Sequence, residues 1–410
     1  MSLFYSSKHK VRNIYRVIDG LLDGDFPLPS GKLALKRIRA AFTEQENKLL
    51  RAHRLKDQDS IEQIASVINV KVFQALPILG FIVRSTNVRN AFELLYPLQS
   101  LADATLQGRP QLLLSSEWDY VPFAYPQSLD DLKSFVLIGL PASEAASALL
   151  IPLSAHELGH AVWRNRGING SAHATLQIRC EDLFAKNLAE FKKHFPDYDP
   201  TDIVNKELLP EATAQSVEYA VLHAEELFCD LFAYSLFGES YVRAFGYILS
   251  PGSGATRRPG YPTYKTRIDL IRQFAKLEGV ELPDVAELSF KDETDLGNPR
   301  DRFIIKMAET SVLGIVNGLW SNIVKLLQEG NVVRPNLTET LSHLQSFKNG
   351  IPAHDPSCLG NIINAGWKFC VELQASSGNP ETISDALDQL NEVLLKSIEV
   401  MEYNRRTAGK

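Results

Sequence analysis

Ser154-Ala155-His156-Glu157-Leu158-Gly159-His160-Ala161-Val162 is the stretch from which the rest of this chain is read. It has the form H-E-x-x-H within an apolar run: Leu149, Leu150, Ile151 and Leu153 precede it and Trp163 follows. Residues four apart share one face of a helix, so His156 and His160 project toward one point. Two imidazole nitrogens placed in this way suit a single Zn²⁺, at about 2.0–2.1 Å each. Glu157 stands about 100° further round the helix. From there it reaches a water at the metal without being a ligand, the position of a general base. A buried helix carrying two histidines and a glutamate needs a reason, because unpaired polar groups are costly there.

Zinc needs a third protein ligand, and a hydrolytic site leaves the fourth position to water. His223-Ala224-Glu225-Glu226-Leu227-Phe228-Cys229-Asp230 offers it on a second apolar helix, flanked by Leu231, Phe232 and Leu236. Glu226 and Asp230 are four apart, and two carboxylates on one apolar face repel unless a cation is near. Glu226 is the expected ligand, and Asp230 the expected acceptor of a hydrogen bond from a ligand histidine. Glu225 is the runner-up ligand; it pairs by spacing with Cys229 and so lacks a supporting carboxylate. His223, three residues before Glu226, is read either as a site residue or as a plain core or surface histidine. Cys229 is read as a packed thiol, because free cysteine is among the most buried residue types.

His156-Glu157-Leu158-Gly159-His160 followed by Glu226-Leu227-Phe228-Cys229-Asp230 resembles the H-E-x-x-H…E-x-x-x-D pattern of the M48-like gluzincin zinc metallopeptidases. The resemblance covers the middle third of the chain. It implies one zinc ion held by His156, His160 and Glu226, with Glu157 activating water and Asp230 supporting a ligand. Family members usually have alanine before the aspartate, where this chain has Cys229. A divergent, soluble zinc metalloendopeptidase acting on a protein or peptide substrate is the expectation. The alternative is a catalytically silent or autoinhibited zinc-bound module that binds a peptide or partner.

A third segment, Gly260-Tyr261-Pro262-Thr263-Tyr264-Lys265-Thr266-Arg267-Ile268, follows the second helix. Relatives often carry His-Pro-Pro and then Arg-Ile here, so Tyr261 stands in place of the histidine. Tyr261 or Arg267 near the zinc would stabilise an oxyanion. The competing reading is a proline turn leading into a helix over 266–277, with Arg267 paired to one of the site's carboxylates.

A net charge of −6 over 410 residues argues against a general nucleic-acid binder. The four cysteines, Cys180, Cys229, Cys358 and Cys370, form no C-x-x-C pair, so a cysteine zinc site or redox motif is not expected. The first residues lack a signal-peptide apolar core, and no uninterrupted apolar run reaches the ~18–20 residues of a membrane helix. Cytoplasmic location without a membrane span follows by default. A regulatory partner is expected, if anywhere, on the helical flanks.

The fold class expected is mainly α with a small β-sheet, a gluzincin or zincin-like metallopeptidase core between helical regions. The boundaries read from the sequence are a helical N-terminal region at 1–115, the catalytic core at 116–277, a linker at 278–299 and a helical C-terminal region at 300–410. Within the first, Thr43-Glu44-Gln45-Glu46 has the form of a capping box, and a helix begins near Asp59. Phe135-Val136-Leu137-Ile138 reads as a strand, either an ordinary core strand or an edge for adding a substrate peptide. A helix is expected around 143–150, and 174–195 as an amphipathic helix. Ser250-Pro251-Gly252-Ser253-Gly254-Ala255 reads as a flexible loop near the site. Residues 302–328, 337–347, 359–374 and 382–403 read as further helices.

Overall fold

The computed structural model describes residues 3–26, 29–87, 91–118, 122–125, 132–249, 257–282, 297–376 and 380–408. The loop expected at 250–255 and most of the linker expected at 278–299 lie outside these residues. The described chain is mainly helical with one small sheet. Its contacts form two compact units, residues 1–103 with 108–147, and residues 104–107 with 148–410. This grouping differs from boundaries at 115, 277 and 299. The sheet shares a core with the N-terminal helices, and the C-terminal helices pack on the same long helix as the motif helix.

The first unit holds α1 (Leu3–Leu22), α2 (Pro29–Arg54), α3 (Gln58–Arg84) and most of α4 (Ala91–Thr105). Val11, Ile14 and Ile18 on α1 recur at helical spacing and meet Leu35, Ile38, Phe42 and Leu49 of α2 in one core. The 43–46 segment is not a helix start: α2 runs straight through it. Thr43 hydroxyl donates back to Arg39 carbonyl at 3.0 Å, using in mid-helix the group a cap would offer to a free amide. The true cap is Asp57, whose side chain accepts from Ser60 N at 3.0 Å and starts α3.

The sheet contains β1 (Gln111–Glu117), β2 (Phe123–Ala124) and β3 (Phe135–Pro141), in the order β1-β3-β2. β1 and β3 are parallel, Gln111 opposite Phe135, and β2 runs antiparallel with Phe123 opposite Gly139. Thus β3 is the middle strand and buried throughout, so of its two readings it takes that of a core strand, not of an edge.

Length and composition make α3 a special case. It contains an 18-residue window of mean hydropathy 1.8, long and apolar enough to cross a membrane by that measure alone, and 33% of the window is buried. Lys71 and Gln74 interrupt its apolar residues.

The second unit is built of α5 (Ile151–Asn165), α6 (Ile168–Lys186), α7 (Leu188–His194), α8 (Leu208–Phe237), α9 (Glu239–Leu249) and α10 (Tyr264–Leu277), then α11 (Pro299–Leu313), α12 (Val316–Glu329), α13 (Leu337–Lys348), α14 (Leu359–Ala375) and α15 (Pro380–Ala408). α8 is the axis, with α5, α6, α11 and α12 packed along it. Residues 143–150 form turns and a short 3₁₀ stretch in place of a helix. The helix expected at 174–195 divides at Asn187, and that at 302–328 at Gly314, where α11 and α12 bend by 46°. At the second break Arg179 Nε donates to Ser311 carbonyl at 3.1 Å, supplying from α6 a partner at the helix end.

Candidate metal centre

Three helices bring the site together. α5 begins with Pro152 in its first turn, where a missing amide hydrogen costs nothing. It presses against α8 at Gly159, where a Cβ would stand 2.9 Å from Cys229 Cα and 3.0 Å from its sulfur. Only glycine allows this approach, and it carries His156 and His160 up to Glu226. Thr263 caps α10, accepting from Thr266 N at 3.1 Å, and so sets the start of the helix bearing Arg267.

The two imidazoles face one carboxylate. His156 Nε2 lies 3.5 Å from Glu226 Oε2, and His160 Nε2 lies 3.7 Å from Glu226 Oε1. The other nitrogen of each ring faces a carboxylate of its own. His156 Nδ1 is 3.0 Å from Asp230 Oδ1, and His160 Nδ1 is 2.8 Å from Glu225 Oε1. In the neutral ring, the nitrogen facing a carboxylate carries the hydrogen, which leaves the lone pair on Nε2. The result is two Nε2 lone pairs and one carboxylate converging on one place. Ligands at about 2.0–2.1 Å from a tetrahedral zinc are about 3.4 Å apart, close to the two distances seen. These two contacts, and the pairing of imidazole nitrogens with a carboxylate, are of the kind a zinc ion would use.

Behind His156 is a buried ion network. Arg267 donates from Nε to Asp230 Oδ2 at 2.6 Å and from Nη2 to Oδ1 at 2.7 Å, and Nη2 lies 3.3 Å from Glu226 Oε2. Its guanidinium also sits 4.9 Å from the centre of the Phe245 ring. Of the two readings open for Arg267, the geometry gives pairing to the site's carboxylates. Tyr241 completes the network, donating to Asp230 Oδ1 at 2.5 Å with its oxygen 3.2 Å from His156 Nδ1.

Electrostatics follow from these contacts. Burial pushes Asp230 and Glu226 up, but Arg267 and His156 more than reverse this, so both carboxyls stay ionised well below the usual range. Burial lowers His156, and the hydrogen bonds its ring donates to Asp230 and Glu226 outweigh it, so the ring holds a proton far more tightly than usual. The Arg267 guanidinium and the proton on His156 together balance the two buried carboxylates. A proton and a metal ion compete for the same lone pair there.

Cys229 sulfur and a ring nitrogen each of His156 and His160 all lie within 4.8 Å of one another. Burial, then the charges of Glu226, Glu225, Asp230 and Glu157, push this thiol well up. The same sulfur packs against α5, 3.0 Å from where a Cβ on Gly159 would stand.

Glu157 is buried on α5 beside the two histidines. Tyr261, 46% exposed, lies at the rim, and burial and then the charge of Glu226 raise its phenol, with a smaller push from Glu157. It therefore stays a hydrogen-bond donor at neutral pH. His223 does not join the donors: its Nε2 is 2.8 Å from Pro259 carbonyl, and it ties α8 to the segment carrying Tyr261. Burial lowers its pKa, so it is neutral at pH 7 with Nε2 as the donor.

Sequence reasoning missed two residues, Tyr241 and the contact of Glu225 with His160. Neither has a local spacing signal; both depend on how α9 and α5 dock on α8. Comparison of the chain with protein-family models, curated proteins and solved structures finds no match.

Proposed function

We propose that this chain is a zinc-dependent peptide-bond hydrolase of gluzincin type, with one zinc ion held by His156 Nε2, His160 Nε2 and Glu226. The observation that carries the reading is the convergence of both Nε2 atoms on the two oxygens of Glu226, while each Nδ1 is held by a separate carboxylate. Zinc in that place supplies Lewis acidity, lowering the pKa of water toward ~7 and polarising a carbonyl.

The chain's own groups do the rest. Glu157 takes a proton from the attacking water and delivers it to the departing amine. Asp230, with Arg267 and Tyr241 around it, holds the His156 ring in one tautomer and orientation. Tyr261, protonated and at the rim, donates a hydrogen bond to the carbonyl oxygen as that atom gains charge. The substrate class is protein or peptide.

Metal analysis of the purified protein, with cleavage of a broad peptide library by wild type and Glu157→Gln, tests this. The expected result is one zinc per chain in both proteins and a cleavage rate about 10²–10⁴-fold lower in the variant. Equal rates would remove Glu157 from its role. Zinc in both proteins with no cleavage by either favours a peptide-binding module, and a chain that takes up no zinc overturns the reading.

A further inference from the structure

Glu225 sits next to the proposed ligand Glu226 and does a different job. Its Oε1 is 2.8 Å from His160 Nδ1, and the side chains of His160 and Glu225 are only 17% and 22% exposed. The opposite nitrogen of the same ring lies 3.7 Å from Glu226 Oε1. Neighbours on a helix stand about 100° apart, so α8 offers one carboxylate to each nitrogen of a single imidazole reaching over from α5. We propose that Glu225 is a positioning residue for His160, holding the hydrogen on Nδ1 and so presenting the Nε2 lone pair to the metal. This rests on the metal-centre reading and adds to it the residue that orders its more exposed ligand.

The two rings are supported in unlike ways. Asp230, behind His156, has a side chain 1% exposed and shares its charge with Arg267 and Tyr241. Among the described residues no arginine or lysine forms an ion pair with Glu225, whose hydrogen-bond partner is His160. A charge-assisted bond to an ionised acceptor is roughly twice as strong as a neutral one. Removing Glu225 therefore frees the ring to turn or to change tautomer, and removing its charge alone weakens the bond while keeping an acceptor in place.

The test uses the full chain with ¹⁵N-labelled histidine, stripped of metal, at about pH 8.5, two units above the ordinary imidazole value. Long-range ¹H–¹⁵N spectra report which nitrogen of His160 carries hydrogen. Wild type and Glu225→Gln are expected in the Nδ1–H form, and Glu225→Ala shifted toward Nε2–H. Chelator competition then gives zinc affinity, expected to fall about 10–100-fold in Glu225→Ala, with Glu225→Gln closer to wild type. A wild-type ring in the Nε2–H form, or an alanine variant with unchanged tautomer or unchanged zinc affinity, overturns the assignment. If Glu225→Ala does not fold, Glu225→Asp draws the carboxylate back by one methylene and serves the same measurements. A chain that binds no zinc defeats the proposed function, and the tautomer spectra still decide the role of Glu225.

Discussion

Helices α3 and α8 are of similar length, 27 and 30 residues, and similarly apolar, yet they use their side chains in opposite ways. α3 turns Val67, Val70, Phe73, Leu76 and Val83 outward. α8 buries every residue from 226 to 237, two carboxylates among them. Averaged over their whole length, the two helices are about equally apolar. The contrast shows that apolar content says little about where a helix sits, whereas a charge tolerated inside an apolar helix says a great deal. Burying an ion costs several kcal/mol, and it is repaid only by good partners. Phe228 and Phe232 offset part of that cost, at about 1.5–3 kcal/mol each for full burial. The remainder falls to Arg267, His156 and Tyr241.

The largest effect expected from this contrast comes from taking away the guanidinium. With metal removed by chelator, Arg267→Met leaves Asp230 and Glu226 buried with the His156 ring but without the guanidinium. Urea unfolding should show a loss of about 3–5 kcal/mol. A loss below about 1 kcal/mol would mean that water reaches these carboxylates and that α8 is no more demanding than α3.

A smaller effect is expected from pH. The folded pKa of His223 lies below its unfolded value of ~6.5, so its contribution is full above that value and is lost as pH falls below it. The stability gap between wild type and His223→Gln, whose amide keeps a donor for Pro259, should narrow from pH ~7.5 to ~5.5. Asp230 and Glu226, both lowered, lose their contributions only at far more acid pH. A gap that does not change with pH would show that His223 takes up its proton inside the fold.

The smallest effect belongs to α3. Phe73 is 77% exposed, so Phe73→Ser should change stability by no more than about 0.5 kcal/mol. A drop of several kcal/mol would show that this face is covered in solution and would end the contrast with α8.

Much of the site was legible because its parts repeat at helical spacing. His156 and His160, and again Glu226 and Asp230, are each four apart, and the reason for a charge on an apolar face can be stated before any fold is known. Tyr241 and Glu225 were not legible in the same way. Tyr241 meets His156 only because α9 folds back beside α5, and Glu225 meets His160 only because Gly159 lets the two helices close up. The helices themselves were mostly readable by periodicity, but their ends were not. Thr43-Glu44-Gln45-Glu46 imitates a cap in the middle of α2, and the break at Gly314 depends on Arg179 from α6.

The Asp230–Arg267 pair also has a bearing on synthesis. The arginine comes 37 residues after the aspartate. A chain emerging from the ribosome, amino end first, displays both histidines and both carboxylates well before their guanidinium exists. Until α10 has left the exit tunnel and docked, α8 carries unneutralised acids along its most apolar stretch. A nascent chain halted before residue 267 therefore carries His156, His160, Glu226 and Asp230 without the guanidinium that pairs with the two carboxylates.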